Sequence, residues 1–109
     1  MANLFVFDVD RRFLAKLEPV IKRVLIVDPN GHAARMLMDI MKGLGAREAV
    51  VEAENGPAMR MAEGLEPGLI FTVRGGDGLN GEALTKAIRR SHMACRMSPI
   101  IMITGEATA

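Results

Sequence analysis

The sequence predicts an α/β domain built on a parallel sheet, and three observations carry that prediction. Short apolar runs alternate with segments of helical periodicity, the mark of strand–helix–strand units. The runs Val24-Leu25-Ile26-Val27, Leu69-Ile70-Phe71-Thr72-Val73 and Ile100-Ile101-Met102-Ile103 are apolar almost throughout. Strands covered on both faces require that pattern. Each run then stops at polar or glycine-rich residues: Asp28-Pro29-Asn30, Arg74-Gly75-Gly76 and Thr104-Gly105.

The elements follow in order. Leu4-Phe5-Val6-Phe7 is strand-like, and Phe13, Leu14, Leu17 and Ile21 recur at helical spacing. Pro19 should kink or interrupt that helix, because proline removes an amide donor and clashes with the preceding turn. After the strand Val24–Val27, Asn30 is a natural cap for a helix whose apolar face reads Ala33, Leu37, Ile40, Met41 and Leu44. Gly43 and Gly45 mark its end. Ala49-Val50-Val51 is a second strand, with Glu48, Glu52 and Glu54 at its margins. Asn55-Gly56-Pro57 is a turn and helix start, and Ala58 to Leu65 a short helix closed by Gly64 and Pro67. Leu69 to Val73 is the third strand. Gly75-Gly76-Asp77-Gly78 lacks the lysine and hydroxyl that would follow in a phosphate-binding loop, so it reads as a flexible loop. Gly81 to Ser91 is a helix with Leu84, Ala87 and Ile88 on one face, and Ser98-Pro99 introduces the fourth strand.

Composition excludes several functional classes. With 109 residues, half of them hydrophobic and a quarter charged, the chain is expected to form one ordinary globular domain. A net charge of +1 gives no electrostatic case for a nucleic-acid partner. Arg11-Arg12 and Arg89-Arg90 read as solvated helix faces. No apolar run approaches the roughly 20 residues a membrane span needs, and the start lacks the basic segment of a signal peptide. The single cysteine, Cys95, rules out an internal disulfide and fits a cytoplasmic setting. Nine methionines without tryptophan or tyrosine suggest an adaptable core and no base-stacking surface. His32, His92 and Cys95 do not complete a tetrahedral metal site, since His92-Met93-Ala94-Cys95 has no second ligand pair.

In order and spacing, Arg23-Val24-Leu25-Ile26-Val27-Asp28, Val51-Glu52-Ala53-Glu54-Asn55-Gly56, Asn80-Gly81 and Pro99-Ile100-Ile101-Met102-Ile103-Thr104 resemble the receiver domain of bacterial response regulators. The resemblance covers residues 23–109. It implies a three-layer, doubly wound, flavodoxin-like (CheY-like) fold, incomplete or rearranged at its fifth strand. It also implies a pocket at Asp28, Pro29, Val73 and Thr104, where the family holds magnesium and phosphorylates an aspartate. Here the acid pair is reduced to Asp28-Pro29, and the acceptor position holds Val73. The lysine that follows the family's fifth strand would fall beyond Ala109. One carboxylate is a poor magnesium site and valine is no nucleophile, so the expectation is a pseudo-receiver without cofactor. Asp28 would hydrogen-bond nearby backbone, and Thr104 would be satisfied locally.

The resemblance further implies signalling by protein contact, with a histidine kinase, a phosphotransfer protein or another receiver as partner. Arg35, Met36 and Met38 on the first helix are the candidate contact residues. Two alternatives concern phosphate. Asp77 is a candidate displaced acceptor, although aspartate is common in such turns for conformational reasons. Phe7-Asp8-Val9-Asp10 is similar to the nucleophile motif of haloacid dehalogenase phosphohydrolases, but Gly76-Asp77-Gly78 precedes Thr104, the reverse of that family's order. Finally, residues 1–22 are expected to replace the missing last strand and helix. Failing that, the fourth strand would present an apolar edge and invite a homodimer or a domain swap.

Overall fold

Val24, Leu25, Ile26 and Val27 are each at most 1% exposed, because helices cover both faces of the strand they form. The structure, a computed structural model, describes residues 11–76 and 79–104, apart from the side chains of Phe13, Leu14 and Leu79. The elements are α1 (Arg11–Ile21), β1 (Arg23–Val27), α2 (Gly31–Gly43), β2 (Glu48–Glu52), α3 (Asn55–Leu65), β3 (Leu69–Val73), β4 (Gly75–Gly76), β5 (Leu79–Asn80), α4 (Gly81–Arg90) and β6 (Ile100–Ile103). A short 3-10 turn, Ala94–Met97, lies between α4 and β6. The sequence expectation at Leu4–Phe7 lies outside the described residues, as do Asp8, Asp10, Asp77 and Gly78.

The main sheet is four-stranded and parallel, in the order β2-β1-β3-β6. Val24 sits opposite Ala49 on one side and Leu69 on the other, and Phe71 sits opposite Ile101. Alternation divides the side chains between two cores. Val24, Ile26, Leu69 and Phe71 pack with Ile21 of α1 and with Ala34 and Met41 of α2. Leu25, Val27 and Ile70 pack with Ala58, Ala62 and Leu65 of α3 and with Leu84 and Ile88 of α4. The chain therefore moves from β1 to β2 under α2 on one face. It moves from β2 to β3 and from β3 to β6 under α3 and α4 on the other. Right-handed crossovers demand this division of the helices, and the result is the three-layer, doubly wound architecture the sequence predicts.

Several local expectations are corrected. Helix α1 runs through Pro19 to Ile21. The carbonyl that loses its amide partner there belongs to Ala15, and both Ala15 and Pro19 are exposed, so the helix can tolerate the loss without burying an unsatisfied group. In α2 the buried face is Ala34, Leu37, Met38, Met41 and Leu44, while Ala33 is exposed and Ile40 lies beside that face. A helix with alanines at 33 and 34 and methionines at 36, 38 and 41 fits two phases nearly equally, and tertiary packing selects between them. Ala87 is exposed, leaving Leu84 and Ile88 to anchor α4. Of the segment read as a flexible loop, Gly75 and Gly76 are described, and they pair antiparallel with Asn80 and Leu79.

Helix α3 ends at Leu65, as the sequence suggests, and its C-cap is Glu66, which adopts the left-handed conformation at φ 51°. Its carbonyl accepts from Arg23 Nε at 3.2 Å. A residue with a Cβ is strained there by about 1–2 kcal/mol, and glycine would lose part of that gain to unfolded-chain entropy. Glu66→Gly is expected to raise unfolding free energy by about 0.5–1 kcal/mol, read from urea denaturation.

Candidate functional site

The two central strands end together. Val27 is paired with Thr72, so Asp28 and Val73 emerge side by side at the C-terminal edge of the sheet. Ile103, opposite Val73 on the third side, delivers Thr104 to the same edge. Open α/β sheets bind ligands at this edge, where the chain leaves adjacent strands in opposite directions. Here it encloses an open crevice of about 760 Å³, lined by Asp28, Pro29, Asn30, Ala33, Val73, Arg74, Gly75, Asn80, Glu82, Ile103 and Thr104. Asp28, Pro29, Val73 and Thr104 are thus brought together.

Each wall is built locally. The Asp28 amide donates to the Glu52 carbonyl at 2.9 Å, which extends the β1–β2 ladder by one residue. Asp28 Oδ1 accepts from the Asn30 amide at 2.8 Å. Asn30 Oδ1 in turn accepts from the His32 and Ala33 amides at 3.1 Å each and caps α2. Two acidic or amide side chains in succession thereby serve the backbone of a single turn, with exposed Pro29 between them. On the opposite wall Asn80 caps α4 by accepting from the Ala83 amide at 3.1 Å. Asn55 Nδ2 donates to the Asn80 carbonyl at 3.1 Å and ties the start of α3 to the start of α4. Asn55 Oδ1 is buried without a hydrogen-bond partner.

Val73 is half-buried and packs against the α3–α4 core. Its carbonyl fixes the identity of its neighbour. A Cβ on Gly81 would lie 2.3 Å from the Val73 oxygen, so only glycine fits there. The third strand's tip and the first turn of α4 are in direct backbone contact.

The rim also carries Arg74 and Glu82, with Arg74 Nε 3.8 Å from Glu82 Oε1 and both side chains more than half exposed. A pair so exposed contributes little stability, but it sets opposite charges at the mouth. These two residues, and Asn55, were not singled out from the sequence. Arg74 directly follows the apolar strand, and that position is the signal that was available.

The chemistry of this donor set is limited. Magnesium requires near-octahedral oxygen coordination, usually from more than one carboxylate or phosphate. At the strand tips the structure supplies one carboxylate, already engaged with backbone, and a valine side chain. Asp28 and Val73 alone do not complete such a shell, and the crevice's other described carboxylate, Glu82, sits at the mouth beside Arg74. Among the described residues no group of three or more His, Cys, Asp or Glu side chains is placed to hold a metal. Cys95 lies far from the crevice in the α3–α4 core, 2% exposed, with Sγ 3.8 Å from the Ala62 carbonyl. Burial raises its thiol above the ordinary 9.0.

The candidate contact residues divide. Arg35 and Met36 face solvent on α2, Met36 being 38% exposed. Met38 does not: it is half-buried against Ala34, Met41 and the sheet, one helical turn along from Ala34. Asp77, the candidate displaced acceptor, lies outside the described residues.

No family model and no curated protein matches this sequence. Solved structures do match the fold. The chemotaxis response regulator CheY4 of Vibrio cholerae aligns with a TM-score of 0.72 at 23% identity, over 81% of this chain and 72% of its own. The signal receiver domain of a DNA-binding response regulator from Colwellia psychrerythraea aligns with a TM-score of 0.69 at 18% identity, over 79% and 70%. The anti-anti-sigma factor PhyR from Bartonella quintana aligns with a TM-score of 0.62 at 18% identity, over 84% of this chain but 38% of that one. The chain has the CheY-like receiver fold. Among the described residues no helix is long and apolar enough to cross a membrane.

Two outcomes follow from the geometry. Gly81→Ala forces the Val73 carbonyl or α4 to move and should cost about 1–3 kcal/mol in urea unfolding. Cys95 should react with a thiol reagent far more slowly in the folded chain than in denaturant at pH 8. Below pH 9.0 both states hold the thiol proton; above it the unfolded chain ionises first. Stability should therefore fall as pH rises past that value.

Proposed function

We propose that this domain is a pseudo-receiver: a two-component signalling module that acts by protein contact, without catalysis and without phosphorylation at the strand tips. One observation carries the reading. The receiver fold is present, and its crevice gathers Asp28, Val73 and Thr104, yet the third-strand position offers a valine packed into the core. Phosphoryl transfer needs a nucleophilic oxygen and an ion to neutralise developing charge; a valine side chain offers no such oxygen, and Asp28 Oδ1 is engaged with the Asn30 amide, which supports the reading. The family's partners, a histidine kinase, a phosphotransfer protein or another receiver, then bind a fixed surface rather than a switched one. The outward side of α2, with Arg35 and Met36, is the surface proposed for them, in a cytoplasmic setting. Arg35 offers a charge and Met36 an adaptable apolar contact.

Incubation with acetyl phosphate and magnesium, followed by intact-mass measurement, tests the reading. The mass should be unchanged. A gain of one phosphoryl group would overturn it, and abolition of that gain by Asp77→Asn would identify a displaced acceptor instead.

A further inference from the structure

The edge of the sheet opposite the strand-tip crevice holds a second depression, and its charge is one-sided. Lys22 directly precedes β1, Arg23 begins it, and Arg47 directly precedes the neighbouring β2. With Glu18 of α1, these three cations line an open crevice of about 440 Å³. Three positive charges stand there against one negative, a formal excess of two in a chain whose net charge is +1. A cleft dominated by one sign concentrates the field and draws in ions of the other.

The backbone holds these residues together. The Lys22 carbonyl accepts from the Arg47 and Glu48 amides at 3.0 Å each, and the Arg23 carbonyl accepts from the Gly68 amide at 2.9 Å. The turn before Arg47 passes through Gly45 at φ 113°, a geometry that a side chain would strain. Arg23 is half-buried, and its Nε donates to the Glu66 carbonyl. That bond orients the guanidinium and leaves its terminal nitrogens to donate elsewhere. Lys22 and Arg47 are exposed, and among the described residues the side chain of neither makes a hydrogen bond or an ion pair. Unpaired cations held side by side repel one another, and a bound anion relieves that repulsion.

We propose that this crevice binds a phosphate dianion, free or as the monoester of a small molecule. A phosphate group at neutral pH carries about two negative charges, which matches the local excess. Its oxygens suit a guanidinium, which donates two parallel bonds, and an ammonium, which acts as a point charge. The crevice has room beyond the phosphate itself. Ala15 and Pro19 form an apolar wall for the carbon skeleton of an ester, and Glu18 can accept from a hydroxyl on it.

Amide NMR of the full chain tests the proposal, with inorganic phosphate and glycerol 3-phosphate titrated separately against sodium chloride at matched ionic strength. Saturable shifts should appear at Lys22, Arg23 and Arg47, and not at Asp28, Val73 or Thr104. The double variant Lys22→Ala/Arg47→Ala alters two exposed side chains, so the rest of the spectrum should persist while binding weakens by about tenfold or more. Saturation by either anion supports the proposal, and the tighter of the two identifies the source of the phosphate. Shifts no larger than those with chloride, shifts centred on the strand tips, or an unchanged affinity in the folded variant overturn it.

Discussion

The pairing of β1 with β3 is the interaction on which the remainder of the molecule depends. Eight of the residues that face one another across it are apolar or, in the case of Thr72, fully enclosed: Val24 with Leu69, Leu25 with Ile70, Ile26 with Phe71, Val27 with Thr72. A slip of one residue would turn every one of these side chains to the opposite face, moving Leu25 and Ile70 into the α1–α2 core and Val24 and Phe71 out of it. Because both faces are filled, the register has no latitude. The strand tips are aligned for the same reason, and so Asp28 and Val73 come to share one crevice.

That alignment separates scaffold from chemistry. The turn after β1 and the cap of α4 are satisfied by short polar side chains acting on backbone amides. These bonds hold whether or not a ligand binds. Valine at the tip of β3 extends the α3–α4 core outward to the floor of the crevice, so its side chain serves packing where a carboxylate would have to remain hydrated. The crevice is therefore polar at its walls and apolar at its centre. Arg74 and Glu82 add opposite charges at the mouth without favouring either sign of ligand.

Strands were legible in the sequence because burial on both faces leaves little but Val, Ile, Leu and Phe, and their ends were marked by Asp28, Arg74 and Thr104. Helix positions were legible, but rotation was not. Alanines at 33 and 34 with methionines at 36, 38 and 41 give α2 no sharp polar boundary, so Met38 was placed outward when it packs inward. Backbone conformation was the hardest to see. Glu66 takes a left-handed geometry that glycine usually fills, and nothing in its side chain announces it. The residues gathered at the crevice were foreseen from spacing; the roles of Asn55, Arg74 and Glu82 depend on three-dimensional neighbours that no short motif encodes.

The contact between Gly81 and the Val73 oxygen has a mechanical consequence. Two backbones with no side chain between them cannot slide past each other or open a gap without leaving a void. The strand terminus and the start of α4 are joined like parts of one rigid lever. Any side chain larger than hydrogen at position 81 would have to push the strand terminus and the helix start apart.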